Sequence, residues 1–293
     1  MTSMRNTLLA TALVSLAAGT AAADTKLTTT VYTASPGGFL VNSTLIAGEK
    51  EAILVDSQFT LADAHRLVAM ILESKKTLTT VYITHGHPDH YFGLGVIQAA
   101  FPKAKLVTLP AAAAEMAKTA KAKVAQWGPM LGANLTTKPV LPTASKLATL
   151  TLEGQAIEIH GPLQGDAPDN SYLWIPSTKT VIAGDIVYRG VHVWTAETNA
   201  DKRKAWIKTI DEITALGPTT VIAGHKDPKE KDDVASLKAT KDYLEVFEAA
   251  VASSKTSAEV QQKVKAKYPA LQLDVILSIG ADAQFAPAVP AKK

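Results

Sequence analysis

Val81-Tyr82-Ile83-Thr84 runs directly into His85-Gly86-His87-Pro88-Asp89-His90, an apolar strand pattern followed by three imidazoles and a carboxylate. That donor set is close to a complete coordination sphere for zinc or a similar divalent cation. Three of the chain's seven histidines fall in this stretch, immediately past an apolar run, which a merely solvated polar loop does not account for. The spacing carries a further implication. His85 and His87 alternate and can turn towards one ion, whereas the adjacent Asp89 and His90 cannot easily face the same one. Two metals account for the pattern better than one.

Further along, Thr180-Val181-Ile182-Ala183-Gly184-Asp185 and Thr220-Val221-Ile222-Ala223-Gly224-His225 share their first five residues in order. Each reads as a buried strand, a glycine that frees the backbone, and a metal-ligating side chain. With the strand before His85, three strand ends would then deliver ligands to one edge of a layered scaffold, where loops held by a rigid frame carry the chemistry.

On these residues the chain resembles the metallo-β-lactamase superfamily of metal-dependent hydrolases, with the likeness running from about Asn42 to His225. Asn42-Ser43-Thr44-Leu45-Ile46 and Ile53-Leu54-Val55-Asp56 look like the family's opening strands. The resemblance implies an α/β fold, the αββα sandwich of two mixed sheets with helices on the outer faces. It also implies two divalent ions, with His85 and His87 on the first, Asp89 and His90 on the second, Asp185 bridging and His225 as the last ligand. Zinc is the expected metal, with manganese or iron as the other candidates.

The chain departs from the family at the third ligand of the first metal. Where relatives carry a histidine, the turn here reads Gly165-Asp166-Ala167-Pro168-Asp169-Asn170, so Asp166 is the expected ligand and His160, at a strand end, its rival. A carboxylate at that position makes a harder site, open to manganese or iron as well as zinc. Asp56 and Asp169 are expected to orient imidazoles from behind. His65, beside Arg66 in a helical run, reads as a surface residue.

The activity implied is attack of a metal-bridged hydroxide on an acyl carbon, with Asp89 and Tyr188 as the catalytic side chains. Tyr188 stands three residues after Asp185, where the superfamily's lactonases carry a tyrosine, which places lactones and carboxylic esters ahead of β-lactams. Trp127, Met130, His192 and Trp194 are candidates for the substrate mouth. A di-iron redox protein and a metal-binding protein without chemistry are the remaining alternatives.

Bulk properties narrow the classes. With 293 residues, 47% of them hydrophobic, the chain can bury a large core. A net charge of +3 is spread over scattered lysines such as Lys118, Lys121 and Lys123, with no aromatic-interleaved basic stripe, so a small-molecule substrate is expected rather than nucleic acid. The chain has no cysteine, which excludes a thiolate ligand. Residues 1–23 read as a bacterial export signal, with Arg5, the apolar run Leu8 to Leu16, and Ala21-Ala22-Ala23 before Asp24. The run is too short for a membrane anchor. The expected mature protein is periplasmic or secreted, a single domain over 24–285 with a tail over 286–293.

Periodicity predicts strands over Leu27 to Thr33, Phe39 to Ala47, Ala52 to Val55, Thr80 to Thr84 and Leu106 to Leu109, and further strands from Leu147 to Ile186 and over Thr219 to Ala223. Helices are predicted over Leu61 to Ser74, His90 to Ala100, Pro110 to about Gln126 and Asp201 to Leu216, and through most of the chain after Lys229. Trp127-Gly128-Pro129-Met130-Leu131-Gly132 is predicted to break the third of these as a loop.

Overall fold

The computed structural model describes residues 26–286; the predicted export signal and residues 287–293 of the predicted tail lie outside them. In chain order the first half comprises strands β1 (Thr28–Thr33), β2 (Asn42–Ala47) and β3 (Glu51–Val55), helix α1 (Leu61–Glu73), β4 (Thr77–Ile83), helices α2 (Pro88–Tyr91) and α3 (Leu94–Ala100), β5 (Lys105–Thr108), α4 (Pro110–Leu131) and β6 (Thr143–Ala144). The second half comprises β7 (Thr149–Leu152), β8 (Gln155–Leu163), β9 (Asn170–Ile175), β10 (Thr180–Ile182), β11 (Tyr188–Arg189), α5 (Ala200–Ala215), β12 (Thr220–Ile222), β13 (His225–Lys226), α6 (Ala235–Ala252), α7 (Ser257–Lys267) and α8 (Asp274–Phe285). Among the described residues no helix is long and apolar enough to cross a membrane.

β1 to β6 form one sheet in sequence order, antiparallel through β3 and parallel from there on. The second sheet runs β12-β10-β9-β8-β7, and β11 pairs with β13 as a short parallel ribbon. Alternation along each strand decides what it faces. In β3, Ile53 and Val55 meet Leu173, Ile175, Ile182 and Ile222 of the opposite sheet, forming the core between the sheets. Ala52 and Leu54 turn the other way, to Leu67 and Ile71 of α1, Ile97 of α3 and Met116 of α4. On the far side, Trp174, Val181 and Val221 pack against Trp206, Phe247, Val264 and Leu277 from α5 to α8. The order helix, sheet, sheet, helix is the predicted αββα sandwich.

Asp63 fastens the first strand to the first helix. Its buried carboxylate accepts from Tyr32 Oη (2.8 Å), Ser35 Oγ (3.1 Å) and Thr60 Oγ1 (2.7 Å), while its own amide donates to Thr60 Oγ1 as the helix cap.

Two predicted boundaries are corrected. The helix expected over His90 to Ala100 is split at Phe92 and Gly93. A Cβ on Gly93 would overlap the Ser57 carbonyl oxygen, so the chain passes there too tightly for a continuous helix. The break expected at 127–132 is absent, and α4 continues to Leu131 with Pro129 inside it. Proline removes one helical hydrogen bond, but the buried Trp127 indole packs edge-on against the stacked rings of Phe39 and Phe59, at centroid distances of 5.4 and 5.6 Å, and anchors the last turns. The helix ends at Gly132, whose φ is +53°.

Candidate metal centre

The two TVIAG segments lie side by side. β10 and β12 pair in parallel with Thr180 opposite Thr220, Val181 opposite Val221 and Ile182 opposite Ile222, so Asp185 and His225 leave the sheet from equivalent ends. The two turns are nested. Gly224 donates to the Gly184 carbonyl (2.9 Å), and a Cβ on Gly224 would overlap Asp185 Oδ1. Gly184 sits at φ +50°, the left-handed region that a side chain disfavours. From the other sheet β4 delivers His85, with Thr84 pinned to Asp56 through its amide (2.8 Å). The turn between β8 and β9 brings in Asp166, whose amide donates to the Asp185 carbonyl (3.2 Å).

These strand ends bring together two groups of donors: His85, His87, Asp166 and Asp185 in one, Asp89, His90 and His225 in the other. Asp185 reaches both. Its Oδ2 lies 3.8 Å from His85 Nε2 and 3.2 Å from His225 Nε2, and its Oδ1 lies 3.2 Å from His90 Nε2. Asp89 Oδ2 is 3.2 Å from His225 Nε2, and His87 Nδ1 is 2.8 Å from Asp166 Oδ2. His85 Nε2, His90 Nε2 and Asp185 Oδ1 are buried without hydrogen-bond partners. Buried polar atoms seldom go unpartnered; these three, drawn from both donor groups, are what bound cations would satisfy. The donors are all nitrogen and oxygen, a set that suits zinc, manganese or iron.

Behind the donors, the imidazoles are held from the rear. His85 Nδ1 meets Thr84 Oγ1 (3.0 Å), His90 Nδ1 meets Asp56 Oδ2 (2.8 Å), and His225 Nδ1 meets the Phe39 carbonyl oxygen (2.7 Å). Asp56, expected behind an imidazole, is there. Asp169 is not: its Oδ2 accepts from the Gly86 amide (2.9 Å) and so fixes the backbone between His85 and His87 rather than a ring. His160 stands apart from both donor groups, stacked on Tyr172 with ring centroids 4.6 Å apart and its Nε2 on Glu158 Oε2. The bulged end of β8 carries it away from the turn that holds Asp166.

The electrostatics follow from three carboxylates buried among four imidazoles. Burial pushes the Asp166 carboxyl up to about 6, with His87 opposing it. Burial depresses His225, but Asp185 and Asp89 overcome it and raise the ring to about 10. Burial, with Asp166 and Asp185 beside it, raises the Tyr188 phenol well above its ordinary value, so it is a neutral donor at pH 7. Its hydroxyl donates to Asp185 Oδ2 at 2.6 Å and lies 3.3 Å from Asp166 Oδ2.

A cleft over the donors is lined by Asp89, Asp185, Tyr188 and His225 and by the aromatic side chains of Phe39, Phe59, Trp127 and Trp194. His192 also lines it while being buried, with Nδ1 3.1 Å from Tyr243 Oη. Met130 does not line it: three residues past Trp127 on α4, its side chain points to solvent at 57% exposure. His65 is exposed, as expected.

Two residues of the cleft region were missed. Lys123, read as part of a solvated helix face, lines the cleft and is only 17% exposed. The signal was available, because Lys123 lies four residues before Trp127 on one helix face. Glu197, whose Oε1 is 3.3 Å from both His87 Nε2 and Lys123 Nζ, comes from an irregular loop that no pattern marks. Burial raises its carboxyl, but His87 and Lys123 outweigh that and hold it well below the usual range.

Comparison with known proteins agrees with the geometry. The sequence profile described as the metallo-beta-lactamase superfamily matches residues 36–225. A curated relative, metallo-beta-lactamase type 2 of Bacteroides fragilis, is 22% identical over 193 residues, covering 64% of this chain and 69% of its own. A metallo-beta-lactamase family protein of Thermus thermophilus superposes with a TM-score of 0.63 at 20% identity, over 88% of this chain and 91% of that one. A metallo-beta-lactamase from Pontibacter korlensis gives 0.54 at 19% identity, over 75% and 99%.

Proposed function

The chain belongs to the metallo-beta-lactamase superfamily and carries the His/Asp centre of a metal-dependent hydrolase; from that premise we propose that it holds two divalent ions and cleaves the acyl bond of a small lactone or carboxylic ester. The observation that carries the two-ion reading is Asp185, which groups with His85, His87 and Asp166 yet sets its two oxygens 3.2 Å from His90 and His225 of the other donor group. His85, His87 and Asp166 would hold the first ion, Asp89, His90 and His225 the second, and Asp185 both. Bound there, the ions supply Lewis acidity and make water a nucleophile near neutral pH.

The chain's own residues do the rest. Asp89 lines the cleft and takes the proton released by the attacking water, then returns it to the departing alkoxide. The neutral Tyr188 hydroxyl turns from Asp185 to donate to the acyl oxygen as it gains charge. Phe39, Phe59 and Trp127 exclude water and favour an apolar group beside the scissile bond.

The second reading is β-lactam hydrolysis, which the names of the Bacteroides fragilis and Pontibacter korlensis metallo-beta-lactamases favour. One panel separates the two: elemental analysis, then hydrolysis of lactones, aryl esters and β-lactams by the zinc- or manganese-loaded protein. About two metals per chain with lactone or ester turnover is expected. Turnover of β-lactams alone refutes the substrate, and metal binding below half an equivalent refutes the two-ion centre.

A further inference from the structure

Three of the four imidazoles face the centre in the same sense. His85, His90 and His225 each have Nδ1 occupied from behind, by Thr84, Asp56 and Phe39 respectively, and present Nε2 to the carboxylates. His87 is reversed, with Nδ1 at 2.8 Å from Asp166 Oδ2 and Nε2 turned away. A neutral imidazole carries one N–H. If Nδ1 is to offer its lone pair, the proton must sit on Nε2, and that buried atom has no hydrogen bond to satisfy it. The carboxylate within ion-pair reach of it is Glu197, with Oε1 at 3.3 Å.

Glu197 is itself held from two sides. The same Oε1 accepts from Lys123 Nζ of α4 at 3.3 Å, and the Glu197 backbone carbonyl accepts from Lys202 Nζ of α5 at 2.8 Å. The loop between Trp194, which lines the cleft, and α5 is thereby tied to two helices. We propose that Glu197 is a positioning residue for the first metal: it takes the Nε2–H of His87, fixes the tautomer that leaves Nδ1 free, and is aimed by Lys123. A carboxylate behind a ligating imidazole also makes the ring a stronger donor. This inference rests on the two-ion reading above, and its test reads metal affinity rather than turnover.

Zinc is titrated against a competing chelator into wild type, Glu197→Ala, Glu197→Gln and Lys123→Met, with thermal unfolding of each metal-free protein alongside. Loss of an outer partner of a metal-ligating histidine costs about 10–100-fold in affinity. That loss is expected for one of the two zinc equivalents in Glu197→Ala. Glu197→Gln, which keeps an acceptor oxygen, recovers most of it, and Lys123→Met falls between. In ¹⁵N-labelled zinc-loaded protein, the His87 ring proton sits on Nε2. A Glu197→Ala protein that binds both zinc ions with wild-type affinity overturns the proposal and leaves the two-ion reading standing, as does a His87 proton found on Nδ1. A wild-type protein that binds no zinc overturns both.

Discussion

Tyr188 donates its hydroxyl to Asp185 Oδ2 across 2.6 Å, and its ring lies parallel to that of His225 at 5.2 Å. The phenol thus touches the carboxylate that belongs to the first donor group and reaches the second. Tyr188→Phe keeps the ring on His225 and removes only the donor. Metal content should stay at the wild-type level while kcat falls by about 10²-fold, the usual effect of losing one oxyanion donor. Loss of a metal from Tyr188→Phe would instead make the hydroxyl a support for Asp185.

Asp166 and His160 offer a second contrast. Asp166 is fully buried among the donors, whereas His160 is stacked on Tyr172 outside them. Asp166→Ala should strip one metal and most activity with the fold intact, since His85 and His87 with only the shared Asp185 hold a divalent ion poorly. His160→Ala should leave metal content unchanged, and Asp166→His should retain both metals with a shift in preference towards zinc. Metal analysis of the three purified proteins decides it.

Gly224 is the tightest point of the centre. An added Cβ would overlap Asp185 Oδ1 and lie 2.6 Å from the Gly184 carbonyl oxygen, and that backbone cannot swing aside as a flexible side chain would. Gly224→Ala should cost about 1–3 kcal/mol of stability, as overpacking does, and displace Asp185. Urea unfolding with a parallel zinc titration should show both losses together.

Asp63 gives a pH dependence remote from the centre. Burial raises its carboxyl, but hydrogen bonds from Thr60, Tyr32 and Ser35 outweigh it and hold the group below its ordinary value. A depressed folded pKa means stability that is present above the unfolded value of about 3.9 and is lost as pH falls through the folded one. Asp63→Asn should therefore be less stable than wild type at pH 7, with the gap closing below about pH 4. A gap that widens in acid, read from urea midpoints, would reverse the sign of this account.

The parts of the fold and centre that could be read from the sequence are those written locally. His85 and His87 follow their strand without interruption, and the TVIAG repeats announce two equivalent strand ends before any pairing is known. Alternation along β3 and β4 likewise shows which residues face helices and which face the other sheet. What escaped was decided by partners distant in the chain. Pro129 signals a helix break, and only the docking of Trp127 on Phe39 and Phe59 overrides it. Asp169 is as close in sequence to Asp166 as a ring-orienting residue should be, yet its partner is the Gly86 amide across the sandwich. Glu197 has neither periodicity nor a motif, and its meaning appears only once α4 and the loop before α5 lie beside His87.

The in-register repeat has a consequence for how the chain assembles. Thr180–Gly184 and Thr220–Gly224 are the same pentapeptide, so residue chemistry alone does not tell β9 which of them belongs beside it. Connectivity does. β10 follows β9 through the tight turn at Pro176–Thr178, whereas β12 arrives only after α5 has been made. The shorter loop closes at the lower entropic cost, so β10 takes the inner seat and offers its free edge to its twin. An exchange would bury the same apolar side chains but set a histidine at the exit reserved for the shared carboxylate. Here loop length, rather than side-chain recognition, keeps the two ligands in their places.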